Sequence, residues 1–229
     1  MIYGLSDFEK YRVIRPIIGS YELDHYDMPI IRRSSMERID LDQLKVLNYK
    51  NLSVNRDNSH TLALMFQYDR ILLALWNQPL KRIPIFQTCA AVATPDFSLS
   101  PTMNPNEIRH NIYQSRWLGC TWQNYGVNVW PTMGWADPST YDLCFSGVET
   151  GCPVVISTLG CQERQQEFLD GFVEMRKRIN PPLIIVYGNM IPGMTGTFIH
   201  FKYEDALSKK AEQICMPGLS KVFTIEEVA

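Results

Sequence analysis

Five short, nearly continuous apolar runs constrain this chain more than any other feature. They are Thr61–Phe66 (TLALMF), Ala90–Thr94 (AAVAT), Val127–Trp130 (VNVW), Pro153–Ser157 (PVVIS) and Leu183–Tyr187 (LIIVY). A strand with one wet face alternates polar and apolar residues. A strand that is apolar throughout is buried on both faces, as in a parallel sheet covered by helices. Helical stretches separate the runs. Ile71, Leu72 and Leu75 recur at helical spacing within Tyr68–Trp76, which Asn77-Gln78-Pro79 stops. Asn104-Pro105-Asn106-Glu107 opens a helix with a cap, a first-turn proline and an acid that can complete a capping box, and Gly126 fits its end. Phe168, Phe172, Met175 and Ile179 form one apolar stripe on a helix over Gln162–Ile179.

Strand–helix–strand units at roughly 30–35 residues are βαβ-sized. The expected fold is α/β, a mostly parallel sheet built from repeated βα units and curled into a reduced or irregular β/α barrel. A doubly wound open sheet is the alternative. No glycine-rich phosphate fingerprint follows the early strands, as a dinucleotide-binding sheet would favour. A full eightfold barrel takes about 250 residues, and this chain has 229. Residues 1–60 lack apolar periodicity and read as an extension packed on the main domain, with 61–229 a single α/β domain. Smaller elements are expected at Leu41–Leu47 (a short helix behind Asp40), Leu143–Phe145 and Thr197–Phe201 (strands), and Tyr203–Gln213 (a helix).

Composition removes some functions. The net charge is −2, so there is no global basic footprint for coating nucleic acid. No apolar run approaches the ~18 residues of a membrane span. Asp7 and Glu9 interrupt any secretory leader. The six cysteines (Cys89, Cys120, Cys144, Cys152, Cys161, Cys215) form no C-x-x-C pair and read as reduced thiols, several of them small core residues; the gaps among Cys144, Cys152 and Cys161 are longer than in compact zinc knuckles, so no metal is assigned. Glu107 and His110 share a helical face, but a carboxylate-bridged metal pair needs a second such motif and there is none. No cofactor and no oligomeric state can be named.

In parallel α/β folds, ligands bind where loops leave the strand C-termini. The residues at those exits are Gln67 and Asp69; Asp96 and Ser98; Trp135 and Asp137; Thr158 and Cys161; Tyr187 and Asn189; with His200 as a further rim base or a core histidine. Asp96 and Asp137 are the candidate catalytic pair, since acid/base or glycosyl-transfer chemistry needs two carboxylates on one rim. Each has a structural alternative as a turn or helix cap. Trp135 can stack on a ring or fold over a core edge. Ser98, Thr158 and Asn189 complete the ligand-binding candidates. Trp117, Trp122 and Trp130 read as core, and Arg116 as an ordinary solvated charge. Arg32 and Arg33 can bind an anion or simply face water.

Several blocks together resemble a known family: Ala93–Leu99 (ATPDFSL), Tyr113–Gly119 (YQSRWLG), Trp130–Asp137 (WPTMGWAD), Phe145–Gly147 (FSG), Val154–Gly160 (VVISTLG) and Val186–Gly188 (VYG). Their order and spacing are similar to domain-of-unknown-function family 4417, found in bacteriophages and other mobile elements, over roughly Ile30 to Asn189. The resemblance implies a phage or mobile-element setting in the cytoplasm of a bacterial host. It brings no established activity. Three functions follow as expectations. The first is an enzyme on a nucleotide, nucleobase or nucleic-acid substrate, using the strand-end carboxylates. The second is a non-catalytic protein that binds and inhibits or redirects a host or phage protein, for which abundant Tyr and Trp suit an interface. The third is a protein that sequesters a nucleotide signal.

Overall fold

The computed structural model describes residues 6–17, 19–207 and 220–226. Among the described residues, eight strands fall into two sheets. Strands β1 (Lys45–Asn48), β2 (Thr61–Leu64), β3 (Ala91–Ala93) and β4 (Val129–Trp130) are parallel and lie in that order. Strands β5 (Val154–Ser157), β6 (Ile184–Tyr187) and β7 (Gly196–Phe201) are parallel, and β8 (Phe223–Ile225) runs antiparallel on β7. The helices are α1 (Asp7–Ile14), α2 (Asp69–Asn77), α3 (Ile83–Phe86), α4 (Pro105–Asn124), α5 (Tyr141–Cys144), α6 (Gln165–Ile179) and α7 (Tyr203–Leu207). The fold is thus mixed α/β with a mostly parallel strand arrangement, as the apolar runs predict.

The two sheets meet at a parallel bridge between Thr132 and Val155, where the Val155 amide donates to Pro131 O at 3.0 Å and the Met133 amide to Val155 O at 2.8 Å. One face of both sheets shares a core. Leu62, Leu64, Ala91, Ala93, Trp130, Val155, Ile185 and Phe201 pack together inside. The alternate residues face helices: Ala63, Val92 and Val129 meet the tryptophans of α4, and Val154, Ile156 and Val186 meet the stripe of α6. This two-sided burial is why these strands carry no polar alternation. At the far edges, Asp42 accepts from Ser220 Oγ and Lys221 N, both at 2.9 Å, and Lys221 Nζ reaches Leu44 O at 3.1 Å. Among the described residues, loop hydrogen bonds therefore join the ends of the strand array.

Several local expectations change. Leu41–Leu47 is no helix: Asp40 caps a tight turn through the amides of Asp42 and Gln43, after which Leu44 and Val46 point into the shared core and β1 begins. The first sixty residues thereby contribute a strand to the first sheet. Leu143–Phe145 is not a strand, because the turn that Asp137 caps runs on into α5 and the Phe145 amide bonds back to Tyr141 O. Helix α4 is capped by Asn104, which accepts from the Asn106 amide at 2.9 Å, while Glu107 stays exposed. Gly126 follows it at φ +78°, a left-handed position suited to glycine. The part of the Tyr203–Gln213 helix beyond Leu207, and Cys215, lie outside the described residues.

Arg116 is the largest correction within α4. It is 3% exposed, and its guanidinium donates from Nε to Ser146 O at 2.9 Å, from Nη2 to Cys144 O at 2.9 Å and from Nη1 to Thr132 O at 3.3 Å. Burial lowers its pKa to about 10, which still leaves it charged at neutral pH. Backbone carbonyls from both sides of the sheet joint hold this cation, so Arg116 ties α4 to the joint. Gly119, one turn on, lets the helix approach the sheet. A Cβ there would lie 2.6 Å from Ile31 Cδ1 and 2.7 Å from Thr94 Cγ2.

Candidate functional site

A cleft of about 740 Å³ opens at the C-terminal ends of the strands. Its walls come from the exits of β2 (Phe66, Gln67, Tyr68), β3 (Asp96 to Leu99), β4 (Met133 to Ala136) and β5 (Ser157, Leu159 to Cys161), with Arg164, Glu167 and Phe168 from the start of α6 and Tyr203 from α7. The size lies within the range of about 300–1,000 Å³ usual for small-molecule sites.

Asp96 is the distinctive group. It leaves β3 behind Pro95, its amide bonds back to Met65 O, and the ring of Phe97 beside it is buried. No described residue donates a hydrogen bond to its carboxylate. Burial, reinforced by the nearby charge of Asp69, pushes its pKa up to about 7. A carboxylic acid is thus kept half-protonated near neutrality, the condition for a group that both gives and takes a proton. Asp69 stands in the first turn of α2 and accepts from Ser98 N at 3.0 Å and Ser98 Oγ at 3.1 Å. Asn111 Nδ2 in turn holds Ser98 O at 2.8 Å, so α2, the β3 exit and α4 are cross-tied behind Asp96.

The sequence-derived candidates separate. Asp96, Ser98 and Trp135 line one cleft. Asp137 lies outside that lining: its carboxylate accepts from Ser139 N at 2.8 Å and Ser139 Oγ at 2.5 Å, the bonds of a helix cap. Thr158 is 1% exposed, its hydroxyl faces Gly188, and it is not among the lining residues. Asn189 is exposed on the β6 exit and also outside the lining, and His200 Nε2 pairs with Gly188 O. Trp135 does both things its position allows. Its indole packs on Phe168 and Phe145, with ring centres 5.0 and 5.9 Å away, and still forms cleft wall. It rests directly on the backbone of α6 at Gly171, where a Cβ would come within 2.2 Å of two indole atoms.

Asp69 is the carboxylate that was not paired with Asp96 from sequence. Its position directly after Tyr68, at a helix start, reads as an ordinary first-turn acid. Arg164 and Glu167 were also missed, since they sit on the N-terminal turn of α6 among other charges. They form an exposed pair at 3.7 Å. Among the described residues there is no group of three His, Cys, Asp or Glu side chains arranged to hold a metal, and no helix is long and apolar enough to cross a membrane.

The family described as Domain of unknown function (DUF4417) matches residues 22–204, which hold every lining residue of the cleft. The chain belongs to the DUF4417 family. Two similar proteins are the Gene 1 protein of Mycobacterium phage D29, 38% identical over 119 residues, and the Gene 1 protein of Mycobacterium phage L5, 37% identical over 118 residues. Those stretches are 51% and 50% of this chain and 44% and 52% of the relatives, so the match spans about half the length of each phage protein. No solved structure gives a significant match. Within this DUF4417 chain the resembling blocks have two uses. YQSRWLG and FSG build the Arg116 anchor, whereas ATPDFSL and WPTMGWAD supply the cleft.

Proposed function

We propose that this protein is an enzyme whose cleft holds a nucleotide, nucleobase or nucleic-acid end, with Asp96 moving a proton on the bound ligand. The raised pKa of Asp96 in a ligand-sized cleft, next to Asp69, carries this reading. Two carboxyl groups with different environments at one site divide acid/base work between them. Here Asp69 is held by Ser98, and Asp96 is left bare to the cleft. Aromatic side chains on several walls suit a planar ring. The phage origin of the similar proteins supports the nucleotide-related substrate class.

The test is incubation of the protein with pooled nucleosides, nucleotides and oligonucleotides, with products followed by mass spectrometry. Asp96→Asn should lower turnover by about 10²–10⁴-fold, the usual worth of a positioned acid or base. Turnover that survives this change removes Asp96 from the chemistry.

A second reading, a protein-binding or sequestering role, draws on Val13, Ile14, Tyr21 and Leu23, all largely exposed near the start of the chain. A stoichiometric protein partner, captured equally well by the Asp96→Asn variant, would favour it.

A further inference from the structure

The charges and rings of the cleft narrow its ligand, given the nucleotide-related reading on which this step rests. Asp96 and Glu167 line the cleft, and Asp69 stands close enough behind Asp96 to raise its pKa. Arg164 is the cation among the lining residues, and its guanidinium faces Glu167 at 3.7 Å. Arg70 lies 5.6 Å over the ring of Tyr68, outside the lining. The cleft therefore presents more negative than positive charge, and its cation already has a carboxylate beside it. A phosphate brought to such a wall meets like charge, which disfavours it.

The rest of the lining favours a neutral planar ring. Phe66, Tyr68, Trp135, Phe168 and Tyr203 offer ring faces or edges for stacking. In its neutral form, Asp96 pairs an O–H donor with a carbonyl acceptor. That is the complement of the adjacent acceptor and donor on a purine or pyrimidine edge. A strand of nucleic acid would need a basic track for its backbone, and among the described residues this acidic rim offers only Arg164, already beside Glu167.

We propose that the cleft takes an uncharged nucleoside or free nucleobase, with the ring stacked on the aromatic wall and its polar edge on Asp96, and that it selects against the phosphorylated forms. The experiment is calorimetric titration of the full chain, in low salt at neutral pH, with adenosine, guanosine, cytidine and uridine, their free bases and their monophosphates. At least one nucleoside or base should bind. The matching monophosphate should bind at least about tenfold more weakly. Glu167→Gln should narrow that gap severalfold, and Asp96→Ala, which removes both the donor and the acceptor that an amide would keep, should weaken the neutral ligand by about tenfold. A monophosphate that binds as well as its nucleoside overturns the selection and leaves the nucleotide-related reading standing. No binding by any of these compounds at millimolar concentration overturns both. Unchanged affinity in Asp96→Ala overturns the placement on Asp96.

Discussion

Two Asp-x-Ser triplets follow adjacent strands of the first sheet: Asp96-Phe97-Ser98 after β3 and Asp137-Pro138-Ser139 after β4. In the second, Ser139 donates both its amide and its hydroxyl to Asp137, two residues back. In the first, Ser98 donates the same two groups, but to Asp69 on a different helix. The middle residue marks the difference. Pro138 fits the first position of the short helical turn that Asp137 caps. Phe97 is 5% exposed, packed in the core beneath α2 and α4. One aspartate is satisfied by its own turn, and the other loses its local donors to a neighbour and faces the cleft. The same triplet thus yields a carboxylate satisfied by its own turn in one loop and one facing the cleft in the other, and the outcome is set by where the serine points.

The largest expected effect breaks the loop that carries Asp137 and spares the one that carries Asp96. Gly171→Ala places a methyl within van der Waals overlap of the Trp135 indole, which is packed against Phe168 and Phe145 and cannot slide along α6. Overpacking of this kind costs on the order of 3 kcal/mol. A lowered melting temperature and a red-shifted tryptophan emission should follow. If stability and emission are unchanged, Trp135 is not held by α6, and the β4 exit is freer than its contacts imply.

How far this contrast was visible beforehand depends on the range of the interactions. The strands were legible because both faces of each are buried, which leaves an unbroken apolar run. The rim followed from the parallel order, and residues on four strand exits do meet in one cleft. Helix α4 was legible from Asn104 and Pro105 to its last residue, because caps are local. Strand β1 was not. Its ends, Lys45 and Asn48, are polar, and Leu44 and Val46 become core only when the second sheet closes over them. Arg116 was misread because its acceptors are main-chain carbonyls of Thr132, Cys144 and Ser146, which no side-chain pattern announces. The partner of Asp96 was missed for a similar reason. The Ser98–Asp69 bonds span 29 residues, and nothing in either local motif points to the other.

Next in size is the pH dependence of Asp96, which should have the opposite sign to that of an ordinary capping carboxylate. Its folded pKa is raised from 3.8 to about 7. The neutral form is the favoured one in the fold, so its contribution is fully present below about pH 4. It is lost progressively as pH rises towards 7, and nothing further is lost above that. Allowing for the partial exposure of the carboxyl group, ionising it in place costs on the order of 2 kcal/mol. Asp96→Asn should therefore melt several degrees higher than the parent protein at pH 8 and at nearly the same temperature at pH 4. By contrast, Asp137→Ala removes a cap and should cost about 1 kcal/mol at pH 8, with turnover retained. A variant at Asp96 that melts lower than the parent at pH 8 would make both triplets structural.

The smallest effect tests the cause of the contrast directly. Ser98→Ala keeps the amide bond to Asp69 and deletes the hydroxyl, a loss of about 0.5 kcal/mol at an exposed site. With one donor gone, more of the Asp69 charge is left to act on Asp96. The titration of Asp96, followed by carboxyl NMR, should shift upward by roughly 0.3 pH units, in keeping with the sign of a nearby like charge. Ser139→Ala removes the equivalent hydroxyl from Asp137 and should leave the Asp96 titration where it was, because that serine serves only its own turn. If the two serine variants move Asp96 equally, the raised pKa comes from burial alone and Asp69 is not its electrostatic partner. If Ser98→Ala alone moves it, the Asp69–Ser98 bond tunes a protonation that burial mainly sets.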